Sequence, residues 1–135
     1  MPVIVITRLR LKDPALFDEF FASAVAAVEQ AQSSSGNLAA DVLADASNTY
    51  WTRTTWQDRG AMHGFVGAEP HRGIMQRLDD WCDEATFVDW DQDDAELPDW
   101  QASYDRLIAD GHVASLSQPS DAHQSRGFPA PVVNS

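Results

Sequence analysis

The chain has 135 residues, of which 44% are hydrophobic, and a formal net charge of -12 at pH 7. This length is enough for one domain with a core, and the acidic balance argues against nucleic-acid binding, which needs a basic face. There is no run of eighteen apolar residues to indicate a transmembrane helix, and the negative charge argues against binding to an anionic membrane surface.

The cysteine content and the N-terminus predict the compartment. Cys82 is the only cysteine, which excludes an internal disulfide and a Cys-rich zinc pattern. Residues 1–13 lack a basic start and a small-residue cleavage site, so we interpret them as a strand and not as a signal peptide. We therefore expect a cytoplasmic protein.

The first half of the chain predicts a strand, a helix and a hairpin. Residues 3–11 are β-branched and then alternate, which is typical of a strand. Asp13 and Pro14 supply an N-cap and a first helical residue. The helix that follows has an apolar stripe at Phe17, Phe20, Phe21, Ala24, Val25 and Val28. Residues 38–46 and 49–56 predict two strands joined by a turn at residues 46–48.

The second half predicts two helices, a strand and a terminal helix. A short helix is expected from Asp58 to Phe65, ended by Gly67. A longer helix follows, because positions 71, 74, 75, 78, 81 and 82 are apolar or histidine at helical spacing. Residues 85–90 read as a strand and residues 97–111 as a helix. The last 24 residues are rich in Ser, Pro and Gly, and we expect a mobile tail or an arm over a partner subunit.

This order of elements predicts an α+β fold of the ferredoxin-like βαββαβ type, with an antiparallel sheet and helices on one face. The fold domain is expected at residues 1–96, followed by a C-terminal helix and tail at 97–135. One apolar sheet face would then be bare, and face-to-face homodimerisation would cover it.

Two stretches, residues 50–65 and 70–90, carry a resemblance to a known family. The residues concerned are Trp51, Thr52, Thr54, Thr55, Trp56, Ala61, Met62, His71, Arg72, Met75, Leu78 and residues 81–85. The chain resembles the dimeric α/β-barrel superfamily of antibiotic-biosynthesis-monooxygenase-like proteins, in the branch related to spheroidene monooxygenase. The resemblance covers about residues 3–92. It implies a small apolar or aromatic substrate and a pocket between the sheet and the helices of each subunit.

Two histidines are candidates for the chemistry. His71 lies at the start of a helix, on the face that points into the domain, where a neutral imidazole would serve as a general base or ligate a haem iron. The alternative is a partly buried histidine bonded to a backbone carbonyl. His63, on the preceding helix, is a second possible ligand or base, or an ordinary exposed histidine.

Arg53 and four aromatic residues complete the predicted site. Arg53 interrupts an apolar and Thr-rich strand, so it would bind a substrate carboxylate or enolate, or pair with an acid across a dimer. The predicted pocket has an aromatic wall of Trp51, Trp56, Phe65 and Trp90. The alternative is that these aromatic residues are core.

The cluster at residues 81–84 is less suggestive of catalysis. Cys82 completes the apolar helical face, so we interpret it as a small core residue and not as a thiolate nucleophile. Asp83 and Glu84 form a polar corner, or one of them pairs with Arg53 or His71. Ten of the 21 acidic residues fall between Asp79 and Asp99, which is typical of a solvated edge.

The leading hypothesis is a monooxygenase-like enzyme. His71 would take a proton and Arg53 would stabilise the anion, with no cofactor and no metal; haem on His71 or His63 is the second possibility, although no C-x-x-C-H signature is present. A non-oxidative isomerase, dehydratase or cyclase, or a non-catalytic dimeric ligand-binding protein, are the alternatives.

Overall fold

The computed structural model describes residues 1–45 and 48–131. In chain order the elements are β1 (Val3–Leu11), α1 (Phe17–Ser33), β2 (Asn37–Asp45), β3 (Thr49–Trp56), α2 (Arg59–Val66), α3 (His71–Met75), α4 (Leu78–Trp81), β4 (Cys82–Asp91), α5 (Trp100–Asp110), β5 (His112–Val113) and α6 (Asp121–Ser125). The antiparallel sheet has the order β2-β3-β1-β4-β5. The predicted ferredoxin-like fold is confirmed.

Local signals fixed several boundaries. The carboxylate of Asp13 accepts a hydrogen bond from the backbone N–H of Ala15 at 2.9 Å, as a capping residue does. Residues 14–16 form a short 3₁₀ turn before α1 begins. Strand β3 has the predicted bounds, because nearly all its residues are β-branched or aromatic. The turn predicted at residues 46–48 falls largely on Ala46 and Ser47, which lie outside the described residues.

The long helix predicted from residue 71 is wrong in its second half. The chain forms two short helices, α3 and α4, and Cys82 opens β4 by pairing with Leu11 of β1. Cys82 is fully buried as the first residue of β4. A buried residue at this position also fits the apolar face of a helix, so the sequence pattern did not show that the sheet begins there.

The sheet has two faces with different covers, since side chains alternate along each strand. On the first face, Val3 and Trp56 pack with Ala31 of α1 and Met62 of α2, while Leu11 packs with Phe20 of α1. We call this the helix face. Three side chains of the predicted α1 stripe stay exposed, namely Phe17, Phe21 and Val25.

The second face is covered by residues 98–131, which we call the C-terminal segment. Leu107 of α5 packs with Ile4, Ile6, Trp51 and Val88 on the sheet, and Phe128 is 3% exposed. The expectation of a bare sheet face is therefore wrong for this chain. Residues 112–131 lie against the sheet through the β5–β4 pairing, the hydrogen bond between Ser120 and Glu84, and the contact between Phe128 and Arg8.

Candidate functional site

The two faces of the central strands differ in how completely they are buried. Ile4 and Ile6 of β1, on the second face, are 0% exposed. Their neighbours on the helix face, Val5 and Thr7 of β1 and Thr52 and Thr54 of β3, are only half-buried. A filled core would bury residues in the middle of a sheet completely. We call the surface formed by these four half-buried residues the helix-face groove.

The floor of the helix-face groove carries hydroxyl groups. Thr7 and Thr52 face each other across β1 and β3, and their hydroxyls form a short hydrogen bond. Thr54 lies on the same face and accepts a hydrogen bond from the indole Nε1–H of Trp56 at 3.0 Å. The groove therefore offers a few fixed polar groups, as small-molecule sites do.

An aromatic stack leads from the groove to His71. Trp56 is 0% exposed and stacks on Phe65 of α2, with ring centroids 5.0 Å apart. Phe65 contacts the imidazole of His71 at a centroid distance of 4.5 Å. The structure thus brings together three of the residues predicted for the site: Trp56, Phe65 and His71.

The orientation of His71 is set by the chain around it. Its Nδ1 lies 3.2 Å from the carbonyl oxygen of Val66, so Nδ1–H donates and the lone pair resides on Nε2 in the neutral ring. Nε2 makes no hydrogen bond to any other described residue. Burial lowers the pKa of His71 below 6.5, although the bond to Val66 opposes this. The imidazole is thus a neutral base with one free nitrogen.

Gln30 fixes the backbone that carries His71. Its amide nitrogen donates to the carbonyl oxygens of Phe65 at 3.2 Å and Ala68 at 3.3 Å. Its amide oxygen accepts from the backbone N–H of His71 at 2.8 Å. One side chain of α1 therefore ties the end of α2 to the start of α3. Gln30 lies outside the apolar stripe predicted for α1, so no sequence signal pointed to this role.

The other predicted site residues lie elsewhere. Trp51, Trp90 and Arg53 are on the second face, under the C-terminal segment. The predicted aromatic wall is therefore divided between two faces and does not form one pocket. His63 is exposed on α2.

Arg53 is engaged within its own chain. Its guanidinium pairs with Asp41 on the neighbouring strand β2 and donates to the carbonyl oxygen of Pro98 at 2.5 Å. It also lies 4.1 Å from the ring centroid of Trp100. Arg53 and His71 are on opposite sides of the sheet, so the predicted partnership of these two residues does not form.

Asp83 and Glu84 pair with neither Arg53 nor His71. Glu84 is 2% exposed and binds Arg8 at 2.6 Å and Arg10 at 3.0 Å, and Asp83 binds Arg10 at 3.0 Å. Burial raises the pKa of Glu84, but hydrogen bonds from Arg8 and Ser120 and the two guanidinium charges outweigh it and lower the pKa. This is a charged cluster that fastens the C-terminal segment.

Comparison with known proteins identifies the family of this chain. The family model "Antibiotic biosynthesis monooxygenase" matches residues 2–77, which is more than half of the chain. The chain belongs to the antibiotic biosynthesis monooxygenase family. A search of curated proteins finds no match.

Solved structures show the same fold at low identity. Rv0793 from Mycobacterium tuberculosis is 16% identical, with a TM-score of 0.64, covering 71% of this chain and 100% of its own. A mutant of SnoaB, a cofactor-independent oxygenase from Streptomyces nogalater, is 13% identical, with a TM-score of 0.58, covering 69% and 94%. A putative antibiotic biosynthesis monooxygenase from Nitrosomonas europaea is 16% identical, with a TM-score of 0.61, covering 67% and 89%. Proteins of this fold typically dimerise.

The two histidines predicted as haem ligands, His63 and His71, lie outside an open cleft on the helix side of the chain. An open cleft of about 480 Å³ lies between the end of α1 and the start of α2. It is lined by Ser34, Ser35, Gln57, Asp58, Gly60, Ala61, Gly64 and Phe65, and neither His63 nor His71 reaches it. An axial histidine needs its free nitrogen in front of a space that holds the macrocycle, so this cleft is not a haem site of the predicted kind.

Three further features of the described residues concern metal ligands, thiol chemistry and membrane spans. Within residues 1–45 and 48–131 there is no group of three His, Cys, Asp or Glu side chains arranged to hold a metal ion. Burial raises the pKa of the Cys82 thiol to about 12, so this sulfur stays protonated and is a poor nucleophile. No helix in the described ranges has the length and apolar character needed to cross a bilayer.

The residues that sequence reasoning missed are the threonines of the groove and Gln30. Part of the signal was present, because Thr52 and Thr54 occupy alternate positions of one predicted strand and so share a face. What the sequence did not reveal was that α1 leaves this side of the central strands partly open, since that depends on where the helix lies.

Proposed function

We propose that the chain is a cofactor-independent, monooxygenase-like enzyme whose substrate is a small apolar or aromatic metabolite bound in the helix-face groove. The observation that carries this proposal is the His71 imidazole, which is half-buried, neutral and oriented with Nε2 free at the end of the Trp56–Phe65 stack. Membership of the monooxygenase family supports it, as does the fold shared with the cofactor-independent oxygenase SnoaB.

The proposed chemistry begins with a proton transfer to His71. Nε2 takes a proton from an acidic CH₂ group of the substrate, and the aromatic ring system delocalises the carbanion. The carbanion supplies the electrons that reduce O₂, so that the CH₂ group becomes C=O and the second oxygen atom leaves as water. No external reductant is needed, because the substrate itself is oxidised.

The anion formed in this step requires a hydrogen-bond donor. Arg53 was predicted for this role, but it lies on the second face and is bound to Asp41 and Pro98. In its place we propose the Thr7–Thr52 hydroxyl pair on the floor of the helix-face groove. One of the two hydroxyl protons remains available after they bond to each other, and a fixed donor of this kind stabilises developing negative charge.

Oxygen uptake tests this function. The full chain, treated with a chelator, is incubated with a panel of polycyclic phenols and their CH₂ tautomers in the presence and absence of labelled O₂. We expect one labelled oxygen atom in the product, one O₂ consumed per substrate, and no turnover without O₂. An unlabelled product formed equally fast without O₂ would instead indicate the isomerase, dehydratase or cyclase alternative. Binding without turnover would indicate a ligand-binding protein.

Two finer predictions from the sequence belong to this proposal. The resemblance of residues 51–85 to the spheroidene monooxygenase branch stays a prediction, as does the cytoplasmic location. The family shown by residues 2–77 is compatible with both. The assigned substrate class rests on the family and on the Trp56–Phe65 stack, and not on the branch.

A further inference from the structure

We propose that the C-terminal segment closes the second sheet face within one chain, in the place where a second copy of the chain would otherwise bind. The inference concerns an interaction surface and does not depend on the proposed reaction. Three observations support it. The second face is buried, the segment is bonded to the sheet at several points, and the structurally similar chain Rv0793 is shorter.

The cover is nearly complete at the centre of the face, although the side chain of Arg53 remains 17% exposed. Residues from the three central strands are buried without any second chain: Ile4, Ile6 and Arg8 of β1, Thr49, Trp51 and Thr55 of β3, and Glu84, Thr86 and Val88 of β4 are all 2% exposed or less. A face-to-face partner would have to bury surface of this kind, usually about 800 Å² on each side. The segment has already removed it from water.

The segment is fastened at both of its ends. At its start, Arg53 donates to the carbonyl oxygen of Pro98 and lies against the ring of Trp100. Near its end, the guanidinium carbon of Arg8 lies 4.7 Å from the ring centroid of Phe128. The hydroxyl of Tyr104 donates to the carbonyl oxygen of Phe128 at 2.8 Å, which ties α5 to the last described residues.

The middle of the segment continues the sheet. Strand β5 pairs antiparallel with β4, with Val113 opposite Thr86 and His112 opposite Phe87. Beyond it, the Ser120 hydroxyl donates to Glu84 at 2.9 Å. The His123 ring accepts from the backbone N–H of Ala85 at 3.3 Å through Nδ1, so Nε2–H donates to the carbonyl oxygen of Ala114 at 2.8 Å. These bonds satisfy polar groups that a bare face would expose to water.

One structurally similar chain is shorter than this one. The match to Rv0793 spans its whole chain but 71% of this one, which leaves 29% of 135 residues, or about 39, unmatched. The family match ends at residue 77, so the C-terminal segment lies outside it. Two copies of a chain with a net charge of -12 also repel each other, whereas the segment is part of the same chain. A homodimer, as predicted from the sequence, would have to use another surface.

Cross-strand disulfides test whether the segment lies on its own sheet. In a Cys82→Ala background of the full chain, we introduce Thr86→Cys with Val113→Cys, or Phe87→Cys with His112→Cys. Both are directly opposed pairs, and opposed residues of this kind lie within disulfide range. We expect at least one pair to oxidise to a disulfide within one chain. Covalent dimers would show that the segment crosses to a partner, and free thiols in both variants would show that it does not seat on β4; either result overturns the proposal.

Light scattering on the oxidised variant completes the test. The disulfide locks the segment in place, so the locked chain cannot pair through this face. We expect the wild-type chain to have the same mass as the locked chain over the range from about 1 to 200 µM. Equal masses support the proposal, even if both are dimers, because any dimer then uses another surface. A wild-type dimer beside a locked monomer would show that a second copy displaces the segment, and would overturn it.

Discussion

Replacing His71 by glutamine is expected to lower turnover of an oxidised substrate by about two to four orders of magnitude, the usual contribution of a positioned general base. Glutamine keeps a side-chain N–H that can donate to the carbonyl oxygen of Val66, but it has no basic nitrogen at neutral pH. Substrate affinity should change little, because the Phe65 contact and the groove remain. The measurement is the rate of oxygen uptake at saturating substrate.

The matched control is His63→Gln. His63 is exposed on α2, so its replacement should leave the rate within about twofold of the wild type. Equal rates for wild type and His71→Gln would show that the imidazole is not the base. Equal losses of rate in His63→Gln and His71→Gln would show that the effect does not come from Nε2 of His71.

The pH dependence of the wild type gives a second readout for the same residue. The lowered pKa of His71 keeps Nε2 unprotonated below the ordinary value of 6.5, so activity should persist below pH 6.5 and fall only as the folded-state imidazole takes a proton. The stability of the folded chain should change with pH in the same direction as the activity. Above about pH 6.5 both states are neutral, and below it the unfolded chain binds a proton that the folded chain does not. Stability should therefore decrease as the pH falls from 6.5 toward the folded-state pKa.

Replacing Glu84 by alanine is expected to lower the free energy of unfolding by about 3–5 kcal/mol, because it leaves the buried guanidinium of Arg8 without its carboxylate partner. Arg8 is 2% exposed, so water does not replace the lost bond at 2.6 Å. The Ser120 hydroxyl loses its acceptor as well. Urea unfolding of the full chain measures the change.

Two variants make the result specific. Glu19→Ala removes an exposed carboxylate that pairs with Arg77 and should cost no more than about 1 kcal/mol. The double variant Arg8→Met with Glu84→Leu removes both buried charges and should recover most of the stability lost in Glu84→Ala. If Glu84→Ala is as stable as Glu19→Ala, the buried Arg8–Glu84 pair does not stabilise the chain as described.

The Arg8–Glu84 pair also makes the stability of the chain depend on pH. Because the pKa of Glu84 is lower in the folded chain than its ordinary value of 4.5, its contribution is fully present above about pH 4.5. It is lost as the pH falls through the lower folded-state pKa, when the carboxyl takes a proton. The Glu84→Ala variant should lack this part of the acid sensitivity.

The elements that the sequence predicted correctly were those with a strong local pattern. Strand β3 and the Asp13 cap follow from β-propensity and capping, which act within a few residues. The partners of Asp83 and Glu84 were not predictable in this way. Arg10 stands directly opposite Glu84 in the register of β1 and β4, and a register is decided by the whole sheet.

The site was predicted in part, for a similar reason. Alternation along β3 places Arg53 and Trp56 on opposite faces, and this could be read from the sequence. Which of those faces α1 covers, and that His71 lies on the same side as Trp56, depended on packing between distant elements. Residues 112–131 of the C-terminal segment have no periodic pattern, so their burial is evident only from their contacts with the sheet.

The location of the substrate is the central claim, and backbone amide NMR of the full chain tests it most directly. The spectrum is followed during titration with a turned-over aromatic compound, under anaerobic conditions so that it is not consumed. We predict the largest shifts at the amides of Thr7, Thr52, Phe65 and His71, around the helix-face groove, and little change at Trp51, Thr86 and His123. Largest shifts at the second group would place the ligand under the C-terminal segment and contradict the account.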